Sequence, residues 1–196
     1  MNFYRSGFTL IEVMVTLIAM VILLSLGVAG VGSLQAQARD KERANDVAVI
    51  ARGLEGYYKN GNPLMTSQAQ NAAQGTYPGY NVVRHMEGVD LCSSNLGPAL
   101  NPCNTTGTPY FDDALPGVSE AARTPPGKPG PYFKTKWLIS EADAVNLIND
   151  GAYLYTATQK NGTDCYGDPN EPPCLHFTIR YKEETSGNII TVKGKH

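Results

Sequence analysis

Between Val13 and Leu34 the chain carries 22 residues without a formal charge, and no other feature constrains its fold so strongly. As a helix that run would measure about 33 Å at 1.5 Å per residue, enough to cross the hydrocarbon core of a bilayer. What lies beyond residue 60 is different in kind, rich in Gly, Pro, Asn and Thr. The mean hydropathy of −0.25 therefore averages a greasy end with a watery one. At 196 residues the chain suffices for one ordinary domain and its core. A net charge of −2 and a pI near 5.9 give no bulk attraction to nucleic acid or anionic lipid.

Glu12 sits at the leading edge of the apolar run, and three readings treat it differently. A cleavable secretory signal has a candidate cut in Ala36-Gln37-Ala38. The apolar region is, however, about twice the usual length for such a signal, and a carboxylate inside it is foreign to the pattern. A plain membrane anchor leaves Glu12 merely tolerated near the interface. The third reading gives it a use. Ser6-Gly7-Phe8-Thr9-Leu10-Ile11-Glu12-Val13 resembles the processing site of type IV pilins and their pseudopilin relatives.

That resemblance implies a leader of residues 1–7, removed by a membrane prepilin peptidase that cuts between Gly7 and Phe8. It also implies N-methylation of the new terminal amine on Phe8 and a role for Glu12 in assembly. A carboxylate in apolar surroundings costs a few kcal/mol unless it finds a partner. The amine created at Phe8, on its own or a neighbouring helix, supplies that partner only when subunits share the right axial register. The implied partners are other pilins, as a homo- or hetero-oligomer, the peptidase and methylase, an assembly platform in the membrane, and lipid before assembly. The implied route runs from the cytoplasmic membrane to an extracellular filament. Arg39, Lys41 and Arg43 after the run are at least as basic as Arg5 before it, so orientation rests on the resemblance and not on loop charge.

The helical pattern continues past residue 34. Ala44, Val47, Ala48, Ala51, Leu54 and Tyr58 recur at three- and four-residue steps, which predicts an amphipathic helix over 35–60. Arg39, Lys41, Glu42, Arg43 and Asp46 fall to the expected wet face. Asn60-Gly61-Asn62-Pro63 ends it. A helix from Phe8 to about Lys59 would be about 78 Å long, too long for a head of this size to bury. Gly27, Gly30 and Gly32 each cost roughly 1 kcal/mol relative to Ala in its middle. They serve either close packing of helices or a loosening of the rod as it leaves lipid.

Residues 61–196 form the expected exported head. From Gly61 to Lys136 the sequence reads as loop, and Arg123 to Pro131 is too rich in Pro and Gly for a helix or a central strand. Ser140 is placed to cap a short helix over Glu141–Asn149, with Gly151 as its stop. Ala152–Gln159, Leu175–Lys182 and Asn188–Lys193 alternate as strands, the last two joined by a turn at Glu184–Gly187. The expected fold is α+β, with the outer half of the long helix on an antiparallel sheet of three or four strands. It is also the head that the pilin resemblance implies.

The cysteines, Cys92, Cys103, Cys165 and Cys174, form no C-x-x-C pair. Local pairing, 92 with 103 and 165 with 174, closes loops of about ten residues each and would contribute roughly 2.5–3 kcal/mol per bridge. Three pairings remain open to the sequence, and free thiols are the alternative.

No catalytic set or cofactor motif stands out. His85, His176 and His196 are dispersed. Asp164, Asp168, Asn170 and Glu171 share a proline-stiffened loop that matches no EF-hand. Lys134, Lys136 and Trp137, or the segment Lys193–His196, are candidate contacts for nucleic acid, as isolated basic groups and not a stripe. Asn104 and Asn161 fit glycosylation acceptors. The leading reading is a non-enzymatic filament subunit, major or minor, for adhesion, motility or DNA uptake. A secretion pseudopilin is the nearest alternative, and a soluble binding domain released after Ala38 the alternative from another class.

Overall fold

The computed structural model describes residues 9–61, 74–80, 115, 117–130, 132–136, 139–166 and 171–196, with 26–30 described by backbone alone. Helix α1 spans Leu10–Asn60 without a break, 51 residues and about 77 Å. Its end follows from Gly61, which adopts φ 70° and donates its N–H to the Tyr57 carbonyl at 2.8 Å, a conformation that a side chain disfavours.

The head begins where α1 meets a sheet. Strand β1 is Phe133–Thr135, β2 is Tyr153–Thr158, β3 is His176–Lys182 and β4 is Ile189–Lys193, in spatial order β1-β2-β3-β4. Helix α2, Glu141–Asn149, connects β1 to β2. Ser140 accepts the Asp143 amide at 3.1 Å and donates to the Asp143 carboxylate at 2.7 Å, which is the expected cap. Gly151, at φ 95°, follows its end as expected.

Two expectations are corrected here. The sheet is mixed, because β1 runs parallel to β2 while β2–β3 and β3–β4 are antiparallel. The helical crossover through α2 is what lets β1 and β2 run the same way. Correspondingly, the segment to Lys136 is not all loop, since it holds β1 and a 3-10 turn at Ala121–Arg123. Three residues with one alternation give too little periodicity to mark a strand.

Alternation along the strands sends Tyr153, Tyr155, Ala157, Phe177, Ile179 and Tyr181 to one face, where they are buried against α1. The helix answers with Val47, Ile50, Leu54 and Tyr57, each three or four residues from the last and all buried. Burying each of the aliphatic side chains is worth about 1.5–3 kcal/mol. The stripe is turned from the expected one, for Ala44 and Ala48 are exposed. Gly53 lets Val118 lie against the helix, since a Cβ there would stand 2.4 Å from the Val118 Cγ2. The opposite face of the sheet holds a smaller core, in which Ala144 and Ile148 of α2 cover Leu154. Cys165 and Cys174 are joined, closing the β2–β3 connection as local pairing expects. Cys92 and Cys103 lie outside the described residues.

Candidate assembly surface

Thr9 takes an extended conformation (φ −74°, ψ 149°) and opens α1 as its N-cap. The Thr9 N–H and hydroxyl both donate to Glu12 Oε2 at 2.8 Å, and the Glu12 amide donates back to Thr9 Oγ1 at 3.4 Å. This is a capping box, and it also sets a carboxylate at the positive end of the helix. Glu12 therefore has a role inside its own chain that the sequence reading did not assign. The spacing T-x-x-E was the available signal. Gly7 and Phe8 lie outside the described residues.

Beyond the cap, the large apolar side chains of 10–25 touch little. Leu10 is 79 % exposed, Ile11 69 %, Leu23 69 % and Leu24 68 %. Exposure covers every side of the helix, so this is a bare rod and not a stripe waiting for one neighbour. Gly27, Gly30 and Gly32 all lie within continuous helix, and a Cβ on Gly32 would meet nothing within 4 Å. Among the described residues no helix is long and apolar enough to cross a membrane.

Where the rod enters the head, a polar clasp replaces apolar packing. Asp40 accepts the amides of Glu184 and Thr185 at 2.7 and 2.9 Å and the Thr185 hydroxyl at 2.6 Å. Arg43 donates to Asp40 at 3.1 Å and to Glu184 at 3.2 Å, and Arg39 reaches Glu184 at 2.7 Å. The helix is thus bonded to the β3–β4 turn at 183–187. Burial pushes the Asp40 carboxyl up, but Thr185, Glu184 and Arg43 donating to it outweigh that and hold it below the ordinary range. Glu184 is lowered likewise, with Arg39 and Arg43 overcoming its desolvation.

The expected wet face is corrected accordingly: Arg43 and Asp46 are 6 % and 8 % exposed. Each is buried because it has a partner, Arg43 in the clasp and Asp46 in a hydrogen bond from the Tyr153 hydroxyl at 2.9 Å. Burial raises the Asp46 carboxyl, with Tyr153 pulling it down and Glu42 pushing it up.

The remaining candidates are not gathered into a site. Lys134 and Lys136 belong to the β1 edge of the sheet and Lys193–His196 to the β4 edge, so no single basic stripe joins them. Lys136 pairs with Glu141 at 3.0 Å, His196 stacks on Tyr58 at 4.4 Å, and His176 Nδ1 lies 2.7 Å from the His196 carbonyl. Trp137, His85, Asp168, Asn170 and Asn104 lie outside the described residues. Asn161 is exposed and accepts the Thr163 amide at 3.0 Å. Among the described residues no three His, Cys, Asp or Glu side chains gather as metal ligands. Compared with protein-family models, with curated proteins and with solved structures, the chain finds no match.

Proposed function

We propose that this chain is a filament subunit of the type IV pilin kind, held first in a membrane and then in a filament core by its N-terminal helix. The observation that carries the reading is the bare apolar rod joined to a folded head. Contiguous apolar surface of this extent is not kept in water; it is covered by lipid or by other copies. The processing pattern around Gly7 and Phe8 adds the means of passing from one to the other. Glu12, already bonded at the helix start, is in this reading the carboxylate that pairs with the amine of a processed Phe8. In this reading the chain is a substrate of the peptidase and methylase and performs no reaction itself. Surface filament and secretion pseudopilus both fit the rod.

The clasp gives a soluble-domain alternative one point in its favour. A chain beginning at Arg39 keeps the bonds of Arg39, Asp40 and Arg43 to the turn, so release after Ala38 would leave them intact. Intact mass and N-terminal sequencing of the native protein, from membranes and from sheared surface material, decide between them. The expected product starts at methylated Phe8 in fibres, and Glu12→Ala in that strain abolishes them. A start at Arg39 in the medium overturns the filament reading.

A further inference from the structure

The two edges of the sheet are guarded unequally. β1 is three residues long and flanked by the turn-rich 124–130 segment with Pro125, Pro126 and Pro129. Short length and nearby proline are ordinary ways to blunt an edge. β4 has five residues, Ile-Ile-Thr-Val-Lys, with no proline and one charge, and among the described residues no strand lies on its outer side.

Its hydrogen-bond phase can be read directly. The Glu183 amide donates to the Asn188 carbonyl and the Gly194 amide to the Phe177 carbonyl, both at 3.0 Å. Those pairs bracket the β3–β4 ladder, so Ile190 and Val192 bond inward between them. Ile189, Thr191 and Lys193 consequently aim their N–H and C=O groups at the free edge. Their side chains are exposed as well, Ile189 by 39 %.

We propose that β4 is a pairing edge for a second copy of this chain, joined antiparallel about a two-fold axis at Thr191. In that register Thr191 faces its own copy and Ile189 faces Lys193, so every outward donor meets an acceptor. Charge selects the arrangement. A parallel, in-register pairing would set Lys193 beside Lys193 and one acidic turn beside the other. The antiparallel one keeps the two Lys193 apart and brings Lys195 alongside Gly187, next to Glu183 and Glu184 of the other copy. Ile189 gains the aliphatic stem of Lys193 as cover. Because β4 runs alongside α1 from the Asp40 end to the Glu55 end, this pairing turns the rods of the two copies in opposite directions. Over so short an edge it is weak between free chains and grows where oppositely directed rods are held close, as between antiparallel filaments side by side.

The test uses the full chain in detergent micelles, with Thr191→Cys and a short bismaleimide. A symmetric covalent dimer is expected, well above the yield of Lys160→Cys, an exposed site on the β2–β3 connection that reports random encounter. Adding Ile189→Lys to Thr191→Cys sets like charges opposite twice and should cut the yield by about fivefold. A head melting midpoint equal to that of the parent shows that each variant is folded. Yields no higher at position 191 than at 160 overturn the proposal, since association through the rods alone would give that result. Stronger self-linking by Ile189→Cys than by Thr191→Cys also overturns it, because it means a different register or direction.

Discussion

One helix passes through two environments, and its halves differ less in composition than in what touches them. Val47, Ile50 and Leu54 are fully covered, whereas Leu10, Ile18 and Leu24, no more apolar, stand largely exposed. The C-terminal half finds its partner within the chain, in the sheet that the last third of the sequence supplies. Among the described residues the N-terminal half has no such partner. Burial is therefore decided by what the rest of the chain brings to a residue and not by how apolar that residue is.

The sharpest way to break the contrast is to truncate one leucine in each half. Leu54→Ala should lower the stability of the head by about 2–5 kcal/mol, since the cavity lies between α1 and the sheet. Leu17→Ala should leave the head melting curve in detergent unchanged, and an equal loss at both sites would mean that the halves are not energetically separate. Next in size is the clasp. Asp40→Ala leaves a buried guanidinium and two turn amides short of an acceptor, and should cost about 3 kcal/mol in chemical denaturation.

The clasp also has a pH signature. The folded-state pKa of Asp40 lies below the ordinary value near 4, so its contribution is present above about pH 4 and is lost as pH falls through the folded value. Asp46, raised by burial, acts in the opposite sense and favours the folded state on acidification. The head melting midpoint should fall below about pH 4, and Asp40→Asn should make that fall shallower. An unchanged slope would show that other carboxylates govern it. The smallest effect belongs to the far end: Thr9→Ala should cost roughly 1 kcal/mol, confined to the first turn. Amide exchange should quicken at the start of α1 while exchange in β2 and β3 stays the same.

Much of the head was legible because its signals are local. The β2, β3 and β4 boundaries follow from alternation, and the Glu184–Gly187 turn and the Ser140 cap follow from residue type. What escaped was set by distant contacts. Asp40 and Arg43 look like any solvated i,i+3 pair until the β3–β4 turn, more than 140 residues later, is laid against them. β1 was hidden because its identity comes from pairing with Tyr153–Tyr155, not from its own three residues. At the other end, the bond from Thr9 to Glu12 needs only the T-x-x-E spacing as its signal.

The clasp has a mechanical consequence. From Leu10 to Arg39 the helix forms an arm of about 45 Å, and Asp40 stands at its root. A sideways push of a few ångströms at the tip turns the arm by only a few degrees. The force reaching the root is magnified by the ratio of arm to joint. Because the joint is a set of short directional bonds to one hairpin, bending load would enter the head through the β3–β4 turn first. Strain on the rod would then be felt at residues 183–187 well before the aromatic core yields.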